Sequence, residues 1–408
     1  MSDITLKDKS WLESEQLQLV LRILGRDGEE ARVNGGAVRN AILGEPISDV
    51  DLSSTLLPEA AQARLEAEGI KVVPTGIEHG TITAIVDGRH FEITTLREDI
   101  ETTGRHAVVK FGRDWERDAL RRDLTMNALY CDGEGIVFDP LGGHEDLIAR
   151  RVVFIGEAEE RIREDYLRIL RFFRFFAWYG SMRPDAAGLK ACARLKQEIS
   201  QLSVERVWSE LKKLLAAPDP ARALLWMRTA GVLTVVLPES EKWGIDLVPG
   251  LLRMEKELKW ENDPLLRLIS ILPKLVEKVA DLTKRLRLSG KEGERLVAWV
   301  NCPLPNAETS KNEFDKLLYS GDAIAMQDTL KMELARIATY EDSGLAGPIK
   351  KLLVRAIDWQ RPEFPIKGRD LIAAGAEAGP ELGKELSRLE AIWVDSDFML
   401  DKVALLKA

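Results

Sequence analysis

Cysteine and histidine are scarce in this chain of 408 residues, which has three cysteines and four histidines. The cysteines, Cys131, Cys192 and Cys302, lie too far apart in sequence to form a disulfide framework or a zinc-binding pattern. The histidines show no metal-ligand spacing either. These absences exclude a disulfide-rich secreted domain and a zinc cluster, and the cysteine usage predicts a reducing, cytoplasmic location.

Long apolar runs are also missing. The most apolar late stretch, residues 265–276, is interrupted by Arg267 and Pro273 and is too short to span a bilayer. The first twelve residues lack the apolar core and the cleavage pattern of a signal peptide. With 45% hydrophobic and 31% charged residues, the composition predicts a soluble globular protein of two to three domains.

The net charge of −9 argues against nucleic-acid binding through overall charge. Any nucleic-acid partner would have to meet a local basic face. Short β-type runs mixed with helical segments predict an α+β domain up to about residue 150, with helices at about 10–27 and 56–68. After residue 151 the periodicity predicts an almost wholly helical chain.

The segment NGGAVRNAILGEPISDVDL, residues 34–52, is the most informative part of the sequence. Asp49 and Asp51 are separated by one residue, so an extended backbone projects both carboxylates to the same side. Such a pair suits Mg²⁺, and a Gly35-Gly36 turn lets backbone N–H groups approach phosphates. Each motif alone is commonly a solvated strand edge or an ordinary turn. Their order and spacing favour a site for a nucleoside triphosphate and a metal.

Glu92 lies among strand-type residues, on the same predicted face as His90 and Thr94. If its strand pairs beside the Asp49 segment, Glu92 becomes a third carboxylate that supports metals or the attacking hydroxyl. A surface glutamate is the equal alternative. Residues 97–118 form a long polar segment, predicted as a flexible loop near the site, with an ordinary hairpin as the alternative.

Two arginine-rich segments complete the candidate site. Arg122 lies in ERDALRRDLTMNALYCD, and an arginine fork suits triphosphate oxygens, although a surface ion pair is the commoner role. In residues 161–180, polar side chains recur every three residues along a predicted helix. A carboxylate and a guanidinium there can together read the edge of a base, while further arginines meet phosphate or ribose. The recurring residues are Asp165, Arg168, Arg171 and Arg174.

These motifs in this order resemble the class II tRNA nucleotidyltransferase and bacterial poly(A) polymerase family of the polymerase-beta nucleotidyltransferase superfamily. The matching blocks are GGAVRN with DVD, RRDLTMNA, DPLGGHEDL, EDYLRILR and Glu205-Arg206, spread over residues 31–215. Two positions depart from the family pattern. Asn40 replaces the usual aspartate after the arginine, and Asn34 replaces an apolar residue.

The resemblance implies an α+β head with a small mixed β-sheet, followed by helical neck, body and tail domains. The implied boundaries are residues 1–150, 151–220, 221–305 and 306–408. It implies that Asp49 and Asp51 bind Mg²⁺ and that the residues contacting CTP or ATP are Gly35, Gly36, Arg39, Arg122, Asp165, Arg168, Arg171 and Arg174. The implied partner is tRNA, bound at its 3′ end and elbow.

Within the family, CCA addition is the favoured function. The Thr102-Thr103-Gly104-Arg105-His106 segment is similar to the flexible loop of members that add CCA or A alone. Addition of A alone, or poly(A) synthesis, is the nearest alternative. A catalytically silent RNA-binding protein on the same scaffold is a remote one.

Overall fold

The computed structural model describes residues 4–103, 106–240 and 244–408. The chain divides into two compact units, Met1–Pro238 and Glu239–Ala408. The finer boundaries near residues 150, 220 and 305 stay predictions. The free, buried state of all three cysteines agrees with their spacing in the sequence.

A mixed sheet of eight strands is the centre of the first unit. The strands of this unit are β1 (Ile4–Thr5), β2 (Ala31–Asn34), β3 (Leu52–Ser54), β4 (Lys71–Gly76), β5 (Thr81–Val86), β6 (Arg89–Thr95), β7 (Arg97–Thr103), β8 (His106–Phe111), β9 (Tyr130–Cys131) and β10 (Ile136–Phe138). The order across the sheet is β1-β10-β9-β2-β3-β6-β5-β4, and β7 pairs with β8 alone. The predicted mixed sheet is confirmed.

The pairing of β3 with β6 is parallel, whereas the other neighbours in the sheet are antiparallel. Leu52 is in register with Ile93. The residues immediately before them, Asp51 and Glu92, are therefore neighbours across the two strands. The predicted role of Glu92 depends on its strand pairing beside the Asp49 segment, and this register provides that pairing.

The segment predicted as a flexible loop is instead an antiparallel hairpin, β7 and β8. Two threonines in β7 and two valines in β8 are residue types that favour extended backbone. The interpretation as a loop was wrong for the paired residues, and Gly104 and Arg105 lie outside the described residues.

Helices surround the sheet and form the remainder of the first unit. They are α1 (Glu15–Leu24), α2 (Gly36–Leu43), α3 (Pro58–Ala67), α4 (Trp115–Leu120), α5 (Gly143–Ile148), α6 (Ala158–Glu164), α7 (Leu167–Tyr179), α8 (Ala186–Leu195), α9 (Val204–Leu215), α10 (Ala221–Thr229) and α11 (Val232–Val236). Helix α1 is shorter than predicted, because the Ser14 side chain caps its start and Gly25 follows its end.

The second unit contains helices and no β-strand among its described residues. Its helices are α12 (Val248–Leu258), α13 (Pro264–Ile269), α14 (Val276–Arg285), α15 (Gly290–Asn301), α16 (Lys311–Ser320), α17 (Ala323–Tyr340), α18 (Ala346–Ile357), α19 (Gly368–Ala373), α20 (Pro380–Asp395) and α21 (Lys402–Leu405). The helical prediction for the chain beyond residue 151 is confirmed. Across the described segments, no helix has the length and apolar character needed to cross a membrane.

Gly250 allows close packing between α12 and α17. A Cβ atom at this position would collide with the Thr339 hydroxyl and the Ala335 carbonyl oxygen. We expect Gly250→Ala to destabilise the protein by roughly 1–3 kcal/mol, because overpacking outweighs the helix propensity of alanine.

The matched control is Gly383→Ala in α20, where no atom lies within 4 Å of the added Cβ. Alanine at that exposed helical position should stabilise by roughly 0.5–1 kcal/mol. Urea unfolding of both variants measures the two effects. An unchanged or raised stability of Gly250→Ala would contradict the packing argument.

Candidate active site

A cavity of about 700 Å³ lies in the first unit, between the sheet and the helices that follow it. Eight arginines and four carboxylates line it, an excess of four positive charges in an acidic protein. Nine of the residues singled out in the sequence are in its wall: Gly35, Gly36, Arg39, Asp51, Arg122, Asp165, Arg168, Arg171 and Arg174. Segments far apart in sequence thus form one basic pocket.

Asp49 and Glu92 do not line this cavity, but both are close enough to Asp51 to act on it electrostatically. Burial among protein groups, followed by repulsion from Glu92 and Asp49, raises the pKa of Asp51 above its usual value. The carboxylate nevertheless remains accessible to solvent. The repulsion of Asp51 by two neighbouring carboxylates marks a position where a cation lowers the electrostatic energy.

The sequence predicted that both aspartates lie on a strand. In the structure they precede β3 instead. The strand begins at Leu52, although the Asp51 carbonyl oxygen accepts a 2.9 Å hydrogen bond from the Asn34 N–H. Asp49 lies in the preceding loop and accepts a 3.0 Å hydrogen bond from the Ser48 hydroxyl. The pair is therefore supported by one strand end and one loop.

The donor set fits a hard divalent cation that shares its shell with a substrate. Among the described residues, no group of three or more His, Cys, Asp or Glu side chains could by itself hold a metal ion. Mg²⁺ usually takes one or two carboxylates and completes its octahedron with water and phosphate oxygens. Asp51 in the wall of the basic cavity, with Asp49 close enough to act on it electrostatically, matches that requirement.

The Gly35-Gly36 turn positions the start of α2 at the cavity. Gly35 has a φ of +60°, and a Cβ there would lie 3.4 Å from the Arg122 Nη1 atom. A side chain would therefore be both strained and crowded. The positive end of the α2 dipole and its first N–H groups belong to a wall suited to anions.

Arg39 is almost fully buried, and burial lowers the pKa of its guanidinium. It donates to the Asn127 side chain at 2.6 Å and to the Tyr179 hydroxyl at 2.8 Å, and it stacks 4.1 Å from the Tyr179 ring. None of the ion pairs within the described residues involves Arg39. Its partners therefore orient the charge without neutralising it.

Asn40, where the family pattern has aspartate, makes two different hydrogen bonds. Its amide oxygen accepts from Arg39 at 3.1 and 3.2 Å, and its amide nitrogen donates to the Pro46 carbonyl oxygen at 2.7 Å. A carboxylate could not make the second bond. Asparagine thus links Arg39 to the loop that leads to Asp49.

Arg122 is held by protein groups rather than free to meet a ligand. It donates to Asp118 at 3.1 Å, to Tyr130 at 3.2 Å and to the Asn34 side chain at 3.1 Å. Asn34, the second departure from the family pattern, also donates to the Ser53 hydroxyl at 2.9 Å. A polar residue at position 34 therefore orients Arg122 at the cavity wall, a role that the sequence did not indicate.

Asp123 and Arg171 form an ion pair of 2.6 Å inside the cavity wall. Burial by itself would raise the pKa of Asp123, but Arg171 and the Asn127 amide more than offset it, so this pKa lies well below its usual value. Asp123 thereby ties the segment after Arg122 to helix α7.

We expect Asp123→Asn to destabilise the protein by roughly 2 kcal/mol near neutral pH, since it leaves the half-buried Arg171 guanidinium without its counter-charge. A lowered pKa contributes stability above the unfolded value of 3.8, and this contribution is lost as the pH falls below it. The difference between wild type and variant should therefore shrink below about pH 4. Urea unfolding at several pH values measures this difference in stability. A difference that does not change with pH would contradict the assignment of Asp123 and Arg171 as an ion pair.

The predicted continuous helix over residues 161–180 is interrupted at Asp165. Helix α6 ends at Glu164, Asp165 is extended with φ −154° and ψ 109°, and α7 begins at Leu167. Its carboxylate accepts from the Leu167 N–H at 3.1 Å, which is a local bond that competes with helix continuation. The break is a correction to the periodicity argument.

The break leaves Asp165 and Arg168 side by side but with different partners. Arg206 of α9 donates to Asp165 at 2.6 Å. Arg168 pairs with Glu164 at 2.5 Å and donates to the Arg161 carbonyl oxygen at 2.9 Å. Both Asp165 oxygens accept a bond, Oδ1 from the Leu167 N–H and Oδ2 from Arg206, and each keeps a further lone pair that can accept a hydrogen bond from a ligand.

Phe175 is an aromatic centre that sequence reasoning missed. The guanidinium groups of Arg39, Arg171 and Arg174 lie 5.2, 5.4 and 4.4 Å from its ring centre. Arg174 also forms an ion pair of 2.9 Å with Glu210, and burial lowers the pKa of Arg174. One buried ring thus lets three cations converge on one cavity with reduced hydration. The sequence has four phenylalanines within residues 172–176, and nothing in it indicates which of them contacts the three arginines.

Comparison with known proteins identifies the family of this chain. The protein family described as "Poly A polymerase head domain" matches residues 31–153. A second family, "Probable RNA and SrmB- binding site of polymerase A", matches residues 181–243. The mouse (Mus musculus) protein "CCA tRNA nucleotidyltransferase 1, mitochondrial" is 32% identical over 404 residues, covering 97% of this chain and 90% of the relative. The chain belongs to the CCA tRNA nucleotidyltransferase family. It is therefore a nucleotidyltransferase that acts on tRNA, and the resemblance drawn from its motifs is confirmed.

Further members of the family span nearly the whole chain. The CCA-adding enzyme of Geobacillus stearothermophilus is 31% identical over 402 residues, which cover 92% of this chain and 90% of the relative. A crystal structure of the Bacillus stearothermophilus CCA-adding enzyme in complex with CTP has 28% identity and a TM-score of 0.73, covering 94% of this chain and 93% of that one. Enzymes of this family are generally metal-dependent. A Thermotoga maritima CCA-adding enzyme with bound tRNA, at 20% identity and a TM-score of 0.66, shares the fold.

Proposed function

We propose that this enzyme adds C, C and A to the 3′ end of tRNA from CTP and ATP, with Asp49 and Asp51 as the metal-binding pair and the basic cavity as the nucleotide site. The observation that supports this most strongly is the cavity itself. It combines an excess of four positive charges with Asp51 in its wall and the Asp165–Arg168 pair on its helical side.

The arginines around Phe175 are proposed to bind the triphosphate. Arg39, Arg171 and Arg174 converge around Phe175, and because Arg39 and Arg174 are largely shielded from solvent, their attraction to phosphate is stronger than on an open surface. The Gly35-Gly36 turn and the start of α2 add backbone donors. Arg122, which is held by Asp118 and Asn34, contributes a fixed charge at the wall.

Asp165 and Arg168 are proposed to read the base. A carboxylate accepts from the exocyclic amine that cytosine and adenine share, and a guanidinium donates to ring nitrogen or carbonyl oxygen. Guanine and uracil have a carbonyl oxygen where the amine would be, and this acceptor cannot pair with a carboxylate. Arg206, 2.6 Å from Asp165, holds the carboxylate in one orientation.

The reaction is an in-line attack of the tRNA 3′ hydroxyl on the α-phosphate, with pyrophosphate as the leaving group. Asp49 and Asp51 would hold Mg²⁺, which when bound lowers the pKa of the hydroxyl and polarises the phosphate. Glu92, next to Asp51, is proposed to support this carboxylate pair. The arginines stabilise the charge that develops on the phosphate and on pyrophosphate.

The three cysteines, free and buried, support a reducing compartment, and the cytoplasm is the proposed location. The helical second unit is the proposed binding surface for the tRNA elbow, as in the four-domain arrangement expected from the sequence.

The function is tested with a tRNA transcript that ends at its discriminator base. Purified enzyme with CTP, ATP and Mg²⁺ should extend it by three nucleotides and stop, and CTP alone should give two. A product that carries only A, or a long A tail, would assign the enzyme to A addition or poly(A) synthesis instead. Sequencing of the extended 3′ ends distinguishes these products.

A further inference from the structure

A second cavity, of about 560 Å³, shares part of its wall with the nucleotide cavity. Five residues line both cavities, namely Gly36, Arg39, Asp51, Arg174 and Phe175. Asp49 lines only the second one. The proposed metal-binding pair therefore lies where the two cavities meet, and a group in either cavity can reach it.

The chemistry of the second cavity differs from that of the first. Three cations and two carboxylates line it, against eight arginines and four carboxylates in the nucleotide cavity. It also has two aromatic side chains that the first cavity lacks, Trp178 and Tyr179. A weakly positive, aromatic cavity suits a nucleotide with a single phosphate better than it suits a triphosphate.

Trp178 is the exposed aromatic residue of this cavity. It lies near the end of α7 and is 41% exposed, so one part of its ring is open to the cavity. Its indole N–H donates to the Lys213 carbonyl oxygen of α9 at 2.8 Å, which fixes one orientation of the ring. An exposed ring that is already fixed loses little entropy when a base stacks on it.

The reaction requires two nucleotides on opposite sides of the metal-binding carboxylates. The incoming nucleotide presents its α-phosphate, and the last nucleotide of the acceptor RNA presents its 3′ hydroxyl. If the arginine-rich cavity holds the former, the latter must approach from the side that also contains Asp49. The second cavity occupies that side.

We propose that the second cavity holds the 3′-terminal nucleotide of the acceptor RNA, with Trp178 as the platform on which its base stacks and Lys213 as a contact for its phosphate. This inference rests on the proposed function. Stacking does not distinguish one base from another, so one platform serves the discriminator base and each added cytidine in turn.

The test compares Trp178→Ala with Trp178→Phe in steady-state kinetics on tRNA lacking CCA. Trp178→Ala should raise the KM for tRNA on the order of tenfold and leave the KM for CTP unchanged, because only the acceptor loses a stacking partner. Trp178→Phe keeps an aromatic face and should remain within about threefold of wild type. Ile148→Ala, which truncates an apolar side chain of 56% exposure outside both cavities, is the matched control and should leave both KM values unchanged.

Two results would overturn the inference. One is a KM for tRNA that Trp178→Ala leaves unchanged. The other is an equal defect in Trp178→Phe, which would mean that only the indole bond to Lys213 matters. Melting temperatures of all variants separate a binding defect from unfolding. A wild-type enzyme that adds no nucleotide to tRNA would instead refute the proposed function, so the two failures are distinguishable.

Discussion

Asp51→Asn is expected to lower the rate of C incorporation roughly a thousandfold or more, because the variant loses one of the two charges that would hold Mg²⁺ at the α-phosphate. Single-turnover incorporation of labelled CTP into tRNA measures the effect. Asp27→Asn, at a carboxylate that is 81% exposed and lines neither cavity, is the control and should retain full activity. Activity of Asp51→Asn within tenfold of wild type would make the metal assignment wrong.

The same variant should gain stability while it loses activity. The folded-state pKa of Asp51 is raised, so ionising this carboxylate costs folding free energy once the pH exceeds the unfolded value of 3.8. Asparagine removes that cost, and the metal-free variant should melt at a higher temperature than wild type at neutral pH but not at pH 3. Added Mg²⁺ should raise the melting temperature of wild type and not of the variant. Equal Mg²⁺ effects on both would count against this site.

The second large effect is expected at the helix break. Asp165→Ala and Arg168→Ala should each lower the preference for CTP and ATP over UTP and GTP by tenfold or more, since a paired polar contact to a base edge gives about 1–3 kcal/mol of discrimination. The measurement is kcat/KM for each of the four nucleotides with the same tRNA.

Arg174→Ala is the contrasting variant for this prediction. It lies on the same helix, but its proposed contact is phosphate, so it should raise the KM for all four nucleotides by a similar factor. Arg206→Ala should resemble Asp165→Ala in a milder form, because it frees the carboxylate that it now holds at 2.6 Å. Unchanged nucleotide preference in both Asp165→Ala and Arg168→Ala would refute the base-reading role.

Local features of the site could be predicted because they depend on a few neighbouring residues. The Gly35-Gly36 turn requires a positive φ, and the structure has +60° at Gly35. The mixed head followed by helices also follows from local periodicity. The position of Glu92 was conditional in the sequence, since the register of β3 with β6 is a long-range property that alternation within one strand does not specify.

Other features were missed because they depend on competition between contacts. The three-residue spacing from Asp165 to Arg174 predicts one helix, but the Asp165 carboxylate accepts from the Leu167 N–H and pairs with Arg206, and the helix breaks there. The hairpin over Arg97–Phe111 was similarly hidden by its polar composition. Asn34 and Asn40 looked like simple departures from a pattern, yet their side chains bind Arg122 and Arg39.

The amino-acid sequence by itself determined the family, the carboxylate pair, the arginine positions and the change from a mixed head to a helical chain, because each is written in spacing or in short-range backbone preference. Only the tertiary structure decided that nine of these residues share one cavity, that Phe175 gathers three arginines, and that a second, aromatic cavity adjoins Asp51. Cavities are made by segments that are distant in sequence, and their shape depends on packing that no local pattern encodes.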